Sequence, residues 1–135
     1  MTRSVLVVDD KEMMRDSVGS TLTRAGFTVR TASDARSALS EIASRRPDCV
    51  VTDLNMPGMT GLELAAQING LDDELPVILM TAFGSIETAV QAMKNGAYDY
   101  ITKPFEVDEL VISVKRAITH AGLVRENAIL KAGAA

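Results

Sequence analysis

Short apolar runs rich in β-branched residues alternate along this chain with longer stretches in which apolar residues recur every three or four positions. The short runs occupy residues 5–8, 28–31, 49–52, 77–80 and 98–102. The longer stretches follow each run in turn, at residues 13–25, 35–43, 62–68, 86–93 and 107–121. Steps of three or four mark one face of a helix, and short runs without alternation are typical of strands covered on both faces. The pattern predicts an α/β fold: a single doubly wound, five-stranded parallel sheet with five helices.

The ends of several elements carry the residue types that stop or start a helix. Gly26 and Gly96 follow the first and fourth helical stretches, where a C-terminal cap is expected. Ser33 or Asp34 precedes the second, as an N-cap would. The last helical pattern continues to about residue 130, longer than the fold needs. We therefore expect one domain over residues 1–120, with residues 121–135 a helical linker extension or simply the end of the chain.

Composition excludes several classes of protein. The 135 residues are 47% apolar and 24% charged, as expected for a globular domain, and the formal net charge is −4. Nucleic-acid binding needs a basic face, so we expect no direct nucleic-acid binding by this segment. The one cysteine, Cys49, cannot form a disulfide within the chain. With no signal peptide and no run long enough to cross a membrane, we expect a soluble, cytoplasmic protein without membrane contact.

Polar residues stand where the predicted strands end. Asp9 and Asp10 end the first strand, Asp53 the third, Thr81 the fourth and Lys103 the fifth. Functional groups of an open parallel sheet gather at the carboxyl ends of its strands. Strand order and fold geometry therefore predict that these five side chains, distant in sequence, meet at one edge of the sheet.

The predicted cluster has the chemistry of a magnesium-assisted phosphoryl acceptor. Three carboxylates repel one another unless a cation is present, and hard carboxylate oxygens suit Mg²⁺. The backbone carbonyl of Asn55 is a candidate further ligand. Lys103 adds positive charge of the kind that stabilises a transferring phosphoryl group, and an aspartate such as Asp53 is a known type of phosphoryl acceptor. The residues thus fit an aspartyl phosphate held by Mg²⁺, Lys103 and the Thr81 hydroxyl.

At these positions the sequence resembles the receiver (CheY-like) domains of two-component response regulators, from residue 5 to about residue 118. The motifs are VVDD at 7–10, TDLNMPG at 52–58, MTA at 80–82 and ITKPF at 101–105. The resemblance implies the flavodoxin-like, CheY-like form of the fold. It also implies that Asp53 is the phosphoacceptor, that Asp9 and Asp10 hold Mg²⁺, and that Lys103 contacts the phosphoryl group.

The same resemblance implies a switch. Thr81 matches the family's switch hydroxyl and Tyr100 its switch aromatic, and a cis peptide bond is implied between Lys103 and Pro104. A sensor histidine kinase is the implied phosphoryl donor. Phosphorylation would change the face made by the fourth helix, fifth strand and last helix, and so control dimerisation. A weak seven-residue repeat in the last helix, carried by Val107, Val114, Ala121 and Ala128, also favours a homodimer.

A narrower resemblance is to the N-terminal receivers of sigma-54-dependent (NtrC-type) transcriptional activators. It rests on residues 80–90 and 93–100, and on residues 123–130, which are similar to the helical linker leading to an ATPase domain. The resemblance implies downstream ATPase and DNA-binding domains in the full-length protein.

Other functions remain open at this point. A haloacid-dehalogenase-like phosphohydrolase also uses a nucleophilic aspartate and Mg²⁺, but needs an acid where Asn55 stands and has a cap domain for which there is no room. A flavodoxin-like mononucleotide binder would meet repulsion from Asp9 and Asp10. A docking module independent of phosphorylation is the third alternative. We expect a receiver that assists its own phosphorylation and dephosphorylation at Asp53 and is not a turnover enzyme.

Overall fold

The computed structural model describes residues 3–82 and 86–134, with side chains as far as Leu123 apart from Ile86. Five strands alternate with five helices along these residues. In chain order they are β1 Ser4–Val8, α1 Glu12–Arg24, β2 Thr28–Ala32, α2 Ala35–Ser44, β3 Cys49–Asp53, α3 Gly61–Leu71, β4 Val77–Thr81, α4 Ile86–Lys94, β5 Asp99–Thr102 and α5 Val107–Ala134. The predicted succession of elements is confirmed, although the fifth strand begins at Asp99 and so excludes Tyr98.

All strands belong to one parallel sheet of order β2-β1-β3-β4-β5. This is the flavodoxin-like order, in which the chain changes direction across the sheet between β1 and β3. The doubly wound, CheY-like α/β fold predicted from the sequence is confirmed. The order brings the carboxyl ends of β1 and β3 side by side at the sheet centre, because the two strands pair directly.

The sheet separates two apolar cores. On one face, side chains such as Val7, Val51 and Met80 pack against helices α1 and α5. On the other face, side chains such as Leu6 and Val50 pack against α2 and α3, and a smaller cluster around Leu79 packs against α4. Burial on both faces explains why the central strands read as continuous apolar runs.

The edge strands depart from that expectation. Strands β1, β3 and β4 are almost wholly buried, whereas β2 and β5 each leave residues partly or fully exposed. Each edge strand has a neighbouring strand on one side only. Its exposed or partly exposed residues include polar ones: Thr28, Arg30 and Thr31 in β2 and Thr102 in β5. The prediction that residues 28–31 are covered on both faces is therefore wrong.

Most of the predicted helix ends are confirmed. Gly26 and Gly96 follow α1 and α4 with φ of 101° and 87°, a region that favours glycine. The Asp34 side chain, and not that of Ser33, accepts from the Ser37 backbone N–H at 2.7 Å and caps α2. A further signal, the capping box of Thr60 and Glu63 at the start of α3, was not predicted.

Helix α5 runs from Val107 to Ala134 without a break, so the predicted extension is confirmed and the boundary at residue 120 stays a prediction. Its first half lies on the sheet: Leu110, Val114 and Ala117 are fully buried. Of the residues that carry the seven-residue repeat, Val114 therefore lies in the protein's own core, Val107 is exposed, and the Ala128 side chain lies outside the described residues. No helix within the described ranges is long and apolar enough to span a membrane.

Candidate functional site

The polar residues predicted to meet do lie at one edge of the sheet. Asp9 follows β1 directly, and Asp53 and Thr81 are the last residues of β3 and β4. Lys103 follows β5, and its backbone N–H donates to the carbonyl of Thr81 at 2.7 Å. Asp9, Asp53 and Thr81 are buried, whereas Asp10 is exposed at the rim. The fold thus brings together in one place residues that the sequence separates by up to 94 positions.

Lys103 joins the two buried carboxylates. Its Nζ donates to Asp53 Oδ1 at 3.0 Å and lies 3.7 Å from Asp9 Oδ2. The Lys103 side chain is itself only 18% exposed, so water screens these contacts weakly. The peptide bond between Lys103 and Pro104 is cis, as the resemblance implied.

Asp9 is the most constrained member of the cluster. Its Oδ1 accepts from the Lys11 backbone N–H at 2.9 Å. Its Oδ2 is the one buried side-chain nitrogen or oxygen within the described residues that has no hydrogen-bond partner. Burial is the largest of the effects that raise the pKa of the Asp9 carboxyl, and the negative charges of Asp53 and Asp10 raise it further. The hydrogen bond from the Lys11 N–H and the positive charge of Lys103 oppose this rise.

The arrangement fits a divalent cation. Carboxylate oxygens of Asp9, Asp10 and Asp53 all lie within 4.8 Å of one another. Within the described residues, Lys103 is the one cationic side chain that forms an ion pair with any of these three carboxylates, which leaves an excess of negative charge. A buried carboxylate oxygen without a hydrogen bond, such as Asp9 Oδ2, is costly, and a metal ion would satisfy it. All-oxygen donors of this kind favour Mg²⁺ over softer metals.

Asp53 is held by a close approach of the next helix. The Leu54 N–H donates to the Met80 carbonyl, and the Gly61 N–H donates to the Leu54 carbonyl, both at 2.8 Å. A side chain at position 61 would overlap the carbonyl oxygen of Asp53. The position therefore needs glycine for space, not for an unusual backbone angle. Sequence reasoning missed this role, since nothing local distinguishes this glycine from a helix start.

Thr81 and Tyr100 share one side of the sheet. Leu79 pairs in register with Tyr100, and Thr81 lies two residues after Leu79, so all three side chains point to the same face. Tyr100 is partly buried against the small cluster of Leu79, Ala92 and Ala97. A change at Thr81 thus has a short route to Tyr100, although the switch roles themselves remain predictions.

Asn55 lies in the loop between β3 and α3, exposed, two residues past Asp53. With Leu54, Leu62 and Val90 it borders a cleft of about 530 Å³ between α3 and α4. The proposed use of its backbone carbonyl as a metal ligand remains a prediction.

Two groups of polar contacts were not predicted, one beside the site and one at the opposite end of β5. Arg15 Nη1 donates to the backbone carbonyl of Asp9 at 2.7 Å. Asp99, at the start of β5, accepts from the buried Ser113 hydroxyl of α5 at 2.7 Å and from the Tyr100 N–H at 2.8 Å. The contacts of Arg15 with Asp9 and of Ser113 with Asp99 have no local sequence signature, because each depends on how a helix packs on the sheet.

Comparison with known proteins identifies the class. The sequence matches the response regulator receiver domain family over residues 5–115. The chain belongs to this family, whose members serve in two-component signal transduction. The resemblance stated from the motifs is confirmed.

Proteins with similar sequences include transcriptional regulators. The chain is 44% identical over 131 residues to the C4-dicarboxylate transport transcriptional regulatory protein DctD of Rhizobium meliloti, covering 97% of this chain and 28% of that protein. It is 44% identical over 116 residues to the DNA-binding transcriptional regulator NtrC of Salmonella typhimurium, covering 86% of this chain and 25% of that protein. The narrower resemblance to NtrC-type receivers is confirmed, and the chain spans less than a third of these relatives.

Solved structures agree with both levels of similarity. The crystal structure of NtrX from Brucella abortus in complex with ADP superposes with a TM-score of 0.91 at 42% identity, covering 96% of this chain and 30% of that chain. The chemotaxis protein CheY4 of Vibrio cholerae has a TM-score of 0.83 at 33% identity, covering 87% of this chain and 99% of that chain. The receiver fold and the membership of an NtrC/NtrX-like group are therefore established together.

Proposed function

We propose that this domain is a phosphoacceptor switch in which Asp53 takes a phosphoryl group from a partner histidine kinase with the help of Mg²⁺. The observation that carries the proposal is the position of Lys103, whose Nζ lies 3.0 Å from Asp53 Oδ1 inside a cluster of three carboxylates. A lysine placed there neutralises charge on the acceptor and on the incoming phosphoryl oxygens. The family match over residues 5–115 supports the same function.

The proposed reaction forms one bond and breaks one. A carboxylate oxygen of Asp53 bonds to the phosphorus of a phosphohistidine, the phosphorus–nitrogen bond breaks, and the electron pair leaves with the imidazole nitrogen. The product is an acyl phosphate on Asp53. Bound Mg²⁺ would neutralise the phosphoryl oxygens, and Asp9, Asp10, Asp53 and the Asn55 carbonyl are the residues that would hold it. Lys103 stays beside the new phosphoryl group.

The proposed output is a shift between two conformations. The aspartyl phosphate adds negative charge and strong acceptor oxygens next to the buried Thr81. If the Thr81 hydroxyl moves toward these oxygens, it vacates space on the face that it shares with Tyr100. Tyr100 then turns inward and the surface of α4, β5 and α5 changes. Such a device biases states that already exist and needs no new fold.

The test is phosphorylation by a small phosphodonor in the presence of Mg²⁺, read by intact mass. Wild type should gain one phosphoryl group per chain, and Asp53→Ala none. Asp16→Ala is the matched control, because Asp16 is an exposed carboxylate of α1. Equal phosphoryl uptake by Asp53→Ala would overturn the proposal. The same preparations should show no turnover of a small phosphate ester, since we propose a switch and not a phosphohydrolase.

We further propose that the domain dimerises through the face of α4, β5 and α5 and through α5 beyond Ile118. Apolar side chains are exposed on this face: Val90 at 45% and Met93 at 48% on α4, and Ile112 at 47% on α5. Leu123 on the extension is 55% exposed. A concentration series in analytical ultracentrifugation, with and without phosphodonor, tests this. Monomer at every concentration in both states would refute it.

For the whole protein we propose a sigma-54-dependent transcriptional activator with ATPase and DNA-binding domains after this receiver. The support is the similarity to DctD and NtrC, of which this chain matches 28% and 25%. The net charge of −4 supports the proposal that any DNA contact lies in another segment. The sequence of the full-length gene beyond residue 135 decides this point.

A further inference from the structure

We propose that Arg15 is a positioning residue, which holds Asp9 in the place where it can bind the cation. Arg15 lies in the first turns of α1, and its Nη1 donates to the Asp9 backbone carbonyl at 2.7 Å. The Asp9 N–H donates to the Ala32 carbonyl of β2 at 3.2 Å. Asp9 is therefore fixed on both sides, by the neighbouring strand and by the helix that follows.

Arg15 also closes the loop between β1 and α1. Its own N–H donates to the Lys11 carbonyl at 3.1 Å, while the Lys11 N–H donates to Asp9 Oδ1 at 2.9 Å. Side chain and backbone of Arg15 thus hold both ends of the segment from Asp9 to Lys11. With Oδ1 engaged, the orientation of this segment decides where the unpartnered Oδ2 points. Groups that orient metal ligands in this way typically change metal affinity 10- to 100-fold when removed.

A purely electrostatic view of Arg15 predicts the opposite effect. A guanidinium near the site repels Mg²⁺, so removing its charge would strengthen cation binding. If Arg15 positions Asp9, its removal weakens binding in spite of the lost repulsion. The sign of the change in Mg²⁺ affinity therefore separates the two roles. A variant that only lowers the stability of the fold, with the site still correctly arranged, would show no change in Mg²⁺ affinity.

The inference rests on the proposed Mg²⁺ site, so the experiment measures Mg²⁺ binding without any phosphodonor. Calorimetric titration with MgCl₂ compares wild type with Arg15→Met, Arg15→Lys and Arg24→Met. Arg24 is the matched control, an exposed arginine in the last turn of the same helix. We expect Arg15→Met to bind Mg²⁺ about tenfold more weakly. Arg15→Lys should recover part of the loss, and Arg24→Met should match wild type.

Equal or tighter Mg²⁺ binding by Arg15→Met would overturn the positioning role and leave the proposed function intact. No Mg²⁺ binding by wild type would overturn both. A second readout covers the case in which Arg15→Met folds poorly: the Mg²⁺ dependence of phosphorylation of Arg15→Lys. A positioning role raises the Mg²⁺ concentration for half-maximal rate and leaves the rate at saturating Mg²⁺ near that of wild type. A lower saturating rate at an unchanged half-maximal concentration would count against the proposal.

Discussion

The change Asp9→Asn probes the cost of assembling the acidic cluster. In the metal-free protein the Asp9 carboxylate is fully buried, and its Oδ2 lacks a hydrogen-bond partner. At an effective dielectric constant of 20, attraction to Lys103 across 3.7 Å is about 4.5 kcal/mol. Repulsion from Asp53, which lies within 4.8 Å, is at least about 3.5 kcal/mol. These terms nearly cancel, and the exposed Asp10 adds a smaller repulsion.

What remains is the burial of an unsatisfied charged oxygen, about 2 kcal/mol. An asparagine at position 9 removes this cost but turns an amide nitrogen toward Lys103 or toward the Lys11 N–H, which offsets about half of the gain. We therefore expect Asp9→Asn to stabilise the metal-free protein by about 1 kcal/mol, or about 4 °C in Tm for a domain of this size.

The sign of the pH dependence follows from the pKa of Asp9. Because burial raises this pKa above 3.8 in the folded protein, the folded state keeps the proton to higher pH than the unfolded state. The protonated Asp9 carboxyl thus contributes to the free energy of unfolding of wild type at low pH. This contribution is lost as pH rises from 3.8 through the folded pKa. The advantage of Asp9→Asn should grow across that window and stay constant above it.

Thermal unfolding with and without Mg²⁺ is the assay. At a Mg²⁺ concentration ten times the dissociation constant, wild type should gain about 1.4 kcal/mol, and Asp9→Asn should gain little. The order of the two proteins should then reverse. The control is Asp73→Asn, the same change at an exposed residue in the loop that precedes β4, at the end of the strand away from the site. It should leave the unfolding curve unchanged both with and without Mg²⁺. A metal-free Asp9→Asn protein less stable than wild type, or one stabilised equally by Mg²⁺, would refute the reasoning.

Two further changes, one beside Asp53 and one at the start of β5, are tested by denaturant unfolding. Gly61→Ala should destabilise the protein by about 1–3 kcal/mol, because the added methyl overlaps the Asp53 carbonyl oxygen. The control Gly70→Ala, in the same helix with open space around it, should instead stabilise the protein by about 0.5–1 kcal/mol. Equal effects of the two changes would contradict the packing argument. Ser113→Ala should cost about 1–3 kcal/mol, because it leaves the Asp99 carboxylate without its buried hydroxyl donor, and an unchanged midpoint would show that water replaces the hydroxyl.

Much of the fold followed from the sequence because the apolar pattern records burial directly. Strands buried on both faces need continuous apolar runs, and helices on a sheet need one apolar face. Runs such as 49–52 and 77–80 therefore predicted strands covered on both sides, as the structure has them. The weaker elements were less well defined: β5 begins one residue later than its apolar run, and β2 is partly exposed.

The residues of the site could also be predicted from the sequence, since residues at the carboxyl ends of parallel strands lie at one edge of any doubly wound sheet. The five residues predicted to meet do so: Asp9, Asp10, Asp53, Thr81 and Lys103. Their separations and hydrogen bonds were not predictable. A distance such as 3.0 Å between Lys103 and Asp53 depends on strand register and loop path, which the apolar pattern does not specify.

Only the tertiary structure decided which residues support the site. Arg15 meets the Asp9 carbonyl, and Gly61 leaves room beside Asp53, because α1 and α3 pack at particular heights against the sheet. The seven-residue repeat of α5 shows the same limit, since Val114 lies in this chain's own core while Val107 is exposed. A periodic pattern determines that a face is buried. What buries it, and which polar groups meet at its border, depend on packing between segments distant along the chain.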